Sequence, residues 1–153
     1  EPLPDDFPLR SRVRHTLIPY LNAFAGGDIV SRFCDGAELA SIEKSYLDGI
    51  AESVAAHAVT FAGDSCGSVD GDCELLRIDA KALAREPRAI RLRVIAHALA
   101  AVGIEAGFHH VDAVDRLISQ WHGQGAVALP SGHSAFRRKH VIRVCQDGLH
   151  ANR

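Results

Sequence analysis

The sequence predicts an α+β protein that is mostly helical, with one long helix and a small antiparallel β-sheet at the C-terminal end. Apolar residues recur at helical spacing over most of residues 8 to 121. Between residues 126 and 145, short alternating runs are separated by turn-forming residues, which is typical of antiparallel hairpins. With 153 residues, 47% of them apolar, the chain is long enough to bury a core.

The first element is a helix predicted from Pro8 to Phe24. Pro19 removes one backbone hydrogen bond and clashes with the preceding turn, so we expect two helical pieces that share a buried face. Arg10 and Arg14, four residues apart, lie on the flank of that face. The apolar stripe that defines the face consists of Leu9, Val13, Leu17, Tyr20, Leu21 and Phe24.

A second helix, N-capped by Asp28, is predicted from Ile29 to Phe61 and would be roughly 50 Å long. Its apolar positions alternate in steps of four and three with one polar member, as in a heptad repeat. Because many of them are alanine, we expect close packing against the first helix rather than an independent coiled coil. These positions are Phe33, Ala37, Ala40, Lys44, Leu47, Ala51, Val54, Ala58 and Phe61.

A polar loop is predicted from Gly63 to Cys73. Its residues 63 to 67 formally match the G-x-S-x-G nucleophile elbow of serine hydrolases, but that motif requires a strand before it, and here a long helix precedes it. We therefore expect no catalytic Ser65. The four cysteines form no CxxC pair, so no metal site is expected and free thiols are the default, with a Cys66–Cys73 disulfide left open on oxidation.

The remaining residues alternate between strands and helices. The Pro130-Ser131-Gly132 turn should join two strands of an antiparallel sheet, and the strand that begins at Glu74 is a candidate to join them. His109 and His110 point about 100° apart on a helix, so we expect capping or packing rather than a shared metal. In order we predict a strand Glu74–Ile78, a helical turn capped by Asp79, helices Pro87–Val102 and Phe108–Trp121, and strands Ala126–Leu129, His133–Arg138 and Val141–Cys145.

The predicted domain organisation has four parts. A helical linker region covers residues 1–62, a flexible loop covers 63–73, an α+β domain covers 74–146, and a frayed tail covers 147–153. No run of eighteen apolar residues and no signal-peptide core occur, so we expect no membrane span and a soluble, cytoplasmic protein. The absence of Met and the Pro-rich acidic start favour a piece of a longer protein.

Charge is distributed unevenly along the chain. Residues 1 to 80 carry six Lys and Arg against fourteen Asp and Glu, whereas residues 81 to 153 carry eleven against five. A basic half attracts anionic partners, above all nucleic acid. An ordinary solvated basic surface would have the same composition. The candidate RNA contacts are Arg88, Arg91, Arg93, Arg137, Arg138 and Lys139, with Arg10 and Arg14.

Helical and strand periodicity divide these candidates between faces. Arg88 and Arg91 share a helix face while Arg93 lies across from Arg91, so one of the three is expected in a structural ion pair. Strand alternation places Arg137 and Lys139 on one face and Arg138 on the other.

Four stretches resemble the tRNA(Ile)-lysidine synthase family. The opening DDFPLRSRVRHTLIPYL is similar to the segment that follows the ATP-binding domain in that family. ALAREPRAIRLRVIAHAL resembles its Pro-x-Ala-x-Arg-x-Arg helix, and HHVDAVDRLI and GAVALPSGHSAFRRKHVIRV resemble its His-Val helix and Leu-Pro-x-Gly hairpin. They occur in the family's order over about residues 5 to 145, and short actinobacterial-type members look most similar.

The resemblance implies a role within a larger enzyme. Such enzymes use ATP and Mg to ligate L-lysine to the wobble cytidine of tRNA(Ile) with a CAU anticodon, and this chain would be the tRNA-binding portion. It lacks the family's SGGxDS loop, so we expect no catalytic residue, no cofactor and no activity in this chain alone. Arg10-Ser11 replaces the Arg-Asn pair of many members. From the resemblance we also expect this protein to be without the additional C-terminal domain of longer members.

The sequence leaves the oligomeric state and an alternative function open. For the oligomeric state, a homodimer is a candidate. In the alternative function, the chain is a non-enzymatic helical module and the long helix binds a protein partner.

Overall fold

The computed structural model describes residues 8–62 and 73–146, and the chain divides between Tyr46 and Leu47 into two units. The predictions for the flexible loop, Ser65, the Cys66–Cys73 disulfide and the frayed tail lie outside the described residues. Within them, no helix is both long enough and apolar enough to cross a membrane.

In the first unit, the N-terminal helix is continuous through Pro19 and changes from π-helical to α-helical geometry just before it. Helix α1 (Leu9–Arg12) leads into a π-helical segment (Val13–Leu17) and then helix α2 (Ile18–Ala25). Pro19 lies in the first turn of α2, where its missing N–H and its ring are tolerated, and the widened π-helical turn precedes it. The expected buried face is wrong, because no residue of these three segments is buried.

Helix α3 (Ile29–Ala58) is the predicted long helix, and Asp28 caps it by accepting from the N–H groups of Val30 and Ser31 at 3.0 and 3.2 Å. The predicted packing against the first helix is wrong for the described residues, since residues 30–46 are all exposed. Phe33 and Tyr46 are 69% and 70% exposed. The buried residues of α3 are Ala51, Val54 and Ala58, all in the second unit.

The second unit contains a five-stranded antiparallel sheet. Its strands are β1 (Val59–Phe61), β2 (Cys73–Asp79), β3 (Val127–Leu129), β4 (His133–Arg138) and β5 (Val141–Gln146), in the order β1-β2-β5-β4-β3. The strand that contains Glu74 joins the sheet as expected, through β5. The long helix ends earlier than predicted because the β-branched Val59 and Thr60 pair with β2 instead.

Three helices complete the second unit: α4 (Ala80–Leu83), α5 (Arg88–Ala101) and α6 (Phe108–Ser119). Asp79 caps α4 as predicted, by accepting from the N–H groups of Lys81 and Ala82 at 2.8 and 3.0 Å. His110 also caps as expected, since its Nδ1 accepts from the Gly107 N–H at 3.2 Å.

One face of the sheet packs against the helices. The register pairs Leu76 with Val144 and Ile78 with Ile142, so these four buried side chains share a face. Fully buried helical residues complete the core: Leu83, Val94, Ile95, Leu99, Val114 and Leu117. The opposite face of the sheet, which we call the outer face, carries Thr60, Arg77, Phe136, Arg138 and Arg143.

Candidate nucleic-acid interface

Arg91 is held in a buried ion pair between α5 and α6. Its Nε and Nη2 donate to the two carboxylate oxygens of Asp115 at 2.6 and 3.1 Å, and its Nη1 donates to the Glu86 carbonyl at 3.0 Å. The Arg91 and Asp115 side chains are only 13% and 3% exposed. The hydrogen bond to Asp115 raises the pKa of Arg91 against the opposing effect of burial. The expected structural ion pair is therefore confirmed.

Arg88 shares a carboxylate with Arg116, which the sequence reasoning did not select. Arg88 donates to Asp112 Oδ1 at 2.8 Å, and Arg116 Nη2 forms an ion pair with Oδ2 at 2.8 Å. The two arginine side chains are 58% and 61% exposed. The hydrogen bond from Arg88 lowers the pKa of Asp112, and the Arg116 charge acts in the same direction. Two guanidinium groups on one carboxylate leave excess positive charge at the surface. The i, i+4 spacing of Asp112 and Arg116 was the available sequence signal.

Arg93 lies across α5 from Arg91, as its helical position predicts. Its Nε donates to Asp48 of α3 at 3.2 Å, and its Nη1 donates to the Ala89 carbonyl at 3.4 Å. His97 Nε2 lies 3.8 Å from the same Asp48 carboxylate. Because Asp48 belongs to the second unit, these contacts join α5 to the end of α3 within that unit.

Arg137 is on the core side of β4 and reaches the end of α6. Its Nη1 donates to the Leu117 carbonyl at 2.6 Å, and its guanidinium carbon lies 5.2 Å from the centre of the Trp121 ring. Carbonyls in the last turn of a helix lack intrahelical partners, and a cation there also interacts favourably with the helix dipole. Arg137 therefore caps α6.

The expectation that Arg137 and Lys139 share a face is wrong. Strand β4 ends at Arg138, which pairs with Val141, so Lys139 and His140 form a two-residue turn. Lys139 has a positive φ of 56°, which strand backbone does not adopt. Its backbone carbonyl accepts from Arg137 Nε at 2.8 Å.

Three cations for which the described residues include no carboxylate partner gather at this turn, together with His140. We call Lys81, Arg138, Lys139 and His140 the hairpin corner. Arg138 pairs with Val141, which in turn pairs with Asp79, and the Ala80 N–H donates to the His140 carbonyl at 2.8 Å. Lys81 therefore lies beside the turn although it is 57 positions before Arg138 in the chain.

The hairpin corner is exposed and positively charged. All four residues are exposed, and among the described residues no carboxylate pairs with Lys81, Arg138 or Lys139. The nearby Asp79 carboxylate is engaged with the N–H groups of α4. The arrangement can therefore bind an anion without first breaking an ion pair. Arg10 and Arg14 are exposed in the first unit, and the structure does not bring them together with this cluster.

Comparison with known proteins identifies the family. A family model described as the TilS substrate binding domain matches residues 78–150. A tRNA(Ile)-lysidine synthase of Bifidobacterium longum (strain DJO10A) is 48% identical over 170 residues, which cover 99% of this chain and 43% of that protein. A second, from Bifidobacterium animalis subsp. lactis (strain AD011), is 52% identical over 155 residues, covering 99% and 41%. The chain belongs to the tRNA(Ile)-lysidine synthase family.

This membership confirms the resemblance found in the sequence. The chain matches the C-terminal portion of its synthase relatives and spans less than half of their length. A more distant synthase, from Geobacter sulfurreducens, is 37% identical over 127 residues, which cover 80% of this chain and 24% of that protein. The substrate binding domain match includes the whole hairpin corner and the arginines of α5 and α6, whereas Arg10 and Arg14 lie outside it.

Proposed function

We propose that this chain is the tRNA-binding portion of a tRNA(Ile)-lysidine synthase and that the hairpin corner contacts RNA phosphates. The observation that carries the proposal is the group of exposed cations Lys81, Arg138 and Lys139, for which the described residues provide no carboxylate partner, inside the region matched by the substrate binding domain model. Phosphate contacts supply affinity and position, and they require cations that are accessible and not already neutralised.

The proposal extends to the whole enzyme. We propose that it ligates L-lysine to the wobble cytidine of tRNA(Ile) with a CAU anticodon, using ATP and Mg bound outside this chain. This portion would contribute RNA binding and no catalytic residue, and the enzyme would act in the cytoplasm. The names of the relatives support the tRNA and the lysidine product.

The other candidate arginines take different roles in this proposal. Arg88 is a second phosphate contact, because it is more than half exposed and shares Asp112 with Arg116. Arg91, Arg93 and Arg137 hold the helices in place, since each would have to break contacts inside the protein before it could bind phosphate. Arg10 and Arg14 stay candidates for contacts made by the first unit.

The test measures fluorescence anisotropy of the chain with tRNA(Ile) bearing CAU, and with an elongator methionine tRNA, at several salt concentrations. Each lost phosphate contact should lower the slope of log affinity against log salt by about 0.9. We therefore expect the Arg138→Ala/Lys139→Ala variant to lose roughly 2 units of slope with both tRNAs. A preference of the unmodified chain for tRNA(Ile) would place part of the selectivity in this portion.

Arg32→Ala is the matched control, because Arg32 is an exposed cation of α3 outside the hairpin corner. It should keep the slope of the unmodified chain. The double variant should also keep its urea midpoint, since exposed substitutions change stability by within about 0.5 kcal/mol. An unchanged slope in the double variant would rule the hairpin corner out as a phosphate site.

A second candidate function is a helical protein-interaction module. Large apolar residues stand exposed on the first-unit part of α3, and three of them, Leu39, Ile42 and Tyr46, recur at helical spacing along one side. An exposed apolar stripe of this kind is typical of a protein interface. A protein-interaction module should self-associate, for example as a homodimer, and its self-association should not change when tRNA is added. Sedimentation of the chain over a range of concentrations, with and without tRNA, separates this function from RNA binding.

A further inference from the structure

The outer face of the sheet carries a row of side chains that the hairpin corner does not include. The register aligns Arg77 of β2 with Arg143 of β5, and Arg143 with Phe136 of β4. Arg138, two residues after Phe136, lies on the same face of β4. An aromatic ring is thus placed between an arginine on the adjacent strand and an arginine along its own strand.

This face has more positive charge than its carboxylates offset. Arg77 and Arg143 lie directly opposite each other, an unfavourable pairing of like charges, and both contact the single carboxylate of Glu74. The Nε of Arg143 is buried 3.3 Å from Glu74 Oε2, and it has no hydrogen-bond partner among the described residues. Arg138 has no carboxylate partner there either, and Asp79 is engaged in capping α4.

Phe136 lies on the outer face of the sheet, and part of its side chain is exposed. Its ring is half-buried on the outer face, and the Arg138 guanidinium carbon lies 5.5 Å from the ring centre. Aromatic side chains on an exposed sheet surface, flanked by arginines, bind unpaired bases by stacking while the arginines contact the backbone. A base inside a duplex is already stacked on both sides and cannot use such a ring.

We propose that the outer face binds an unpaired nucleotide of the RNA, with its base stacked on Phe136 and its flanking phosphates contacted by Arg138 and Arg143. This inference rests on the proposed RNA-binding function and deepens it, from phosphate contacts at the hairpin corner to a base contact on the sheet. Arg138 lies at the junction of the two surfaces, because it belongs to the hairpin corner and contacts the Phe136 ring.

The test compares Phe136→Leu and Phe136→Trp with the unmodified chain, using the CAU-bearing tRNA and a short unstructured RNA oligonucleotide. The Phe136→Leu variant loses one stacked base, so it should bind both RNAs about 5-fold to 100-fold more weakly than the unmodified chain. The salt slope should stay unchanged, because stacking releases no counterions. Phe136→Trp should keep the affinity, and its added fluorescence should be quenched by the oligonucleotide.

An abasic oligonucleotide of the same length is the matched ligand. The unmodified chain should bind it more weakly than the normal oligonucleotide, and Phe136→Leu should cause no further loss. If tRNA binds with a steep salt dependence but Phe136→Leu binds RNA as tightly as the unmodified chain, base stacking is refuted and the proposed phosphate contacts are not. If no RNA binds at low salt, the proposed function itself fails.

Discussion

The arginines of α5 and the cations of the hairpin corner have similar residue types but opposite environments. Arg91 donates to both oxygens of a buried carboxylate, whereas Lys139 is exposed and has no carboxylate partner among the described residues. A run of basic residues in a sequence therefore does not define a binding surface. A cation that is already paired with a carboxylate inside the protein must break that ion pair before it can bind phosphate. Breaking the pair cancels most of the binding free energy gained from the phosphate.

We expect the largest loss of stability from Asp115→Ala. The substitution leaves Arg91 buried with its charge unpaired, which should lower the free energy of unfolding by about 3–5 kcal/mol. Urea denaturation measures the loss. Asp112→Ala is the matched control and should cost much less, because its partners Arg88 and Arg116 are exposed to water.

Equal losses for Asp112→Ala and Asp115→Ala would contradict the assignment of Arg91 to a structural role. Replacing Arg91 and Asp115 together with apolar residues of similar volume provides a second check. That double variant should recover most of the lost stability, since no buried charge is then left without a partner.

A smaller effect is expected from Arg137→Ala, which removes the cation that caps α6. Hydrogen bonds from charged groups contribute about 1.5–3 kcal/mol each, so we expect a loss in that range from thermal or urea unfolding. Trp121 is the single tryptophan of the chain, and its fluorescence should shift when the guanidinium over its ring is removed. Arg138→Ala is the matched control: unchanged stability is expected, and a loss as large as that of Arg137→Ala would contradict the distinction between the two residues.

The smallest effect is a pH dependence from Asp112. Its pKa is lowered in the folded protein by the hydrogen bond from Arg88, so its contribution to stability is present above the unfolded value of about 3.9 and is lost as pH falls through the folded pKa. Asp112→Asn should therefore be less stable than the unmodified chain at pH 5 to 7, and the difference should shrink below about pH 4. A difference that persists unchanged at pH 2 would show that the carboxylate charge is not its source.

Local signals in the sequence predicted most of the elements. The Asp79 and Asp28 caps and the turn at residues 130–132 all depend on residues within a few positions of each other, and the structure confirms them. The structural ion pair among the three α5 arginines was also expected from helix periodicity, although its carboxylate partner was not. The RNA contacts themselves stay predictions that the binding experiments test.

The predictions that were wrong concern features that depend on residues far apart in the chain. Alternation could not show that β4 stops at Arg138, because the two-residue turn depends on the pairing of β4 with β5. Helical periodicity extended α3 to Phe61, whereas pairing with β2 converts its last three residues to a strand. The heptad pattern from Phe33 predicted a packed face, yet an apolar pattern does not specify which surface, if any, covers it.

The α+β class, the family and the concentration of basic residues after position 80 can all be read from the order of the residues. Which of those basic residues are engaged inside the protein, and which are exposed together, depends on how the chain folds. The physical reason is that helix periods, caps and turns act over a few residues, whereas ion pairs and sheet register join residues that are far apart in the chain. Arg91 and Asp115 are 24 positions apart, and Lys81 meets the β4–β5 turn only through the sheet.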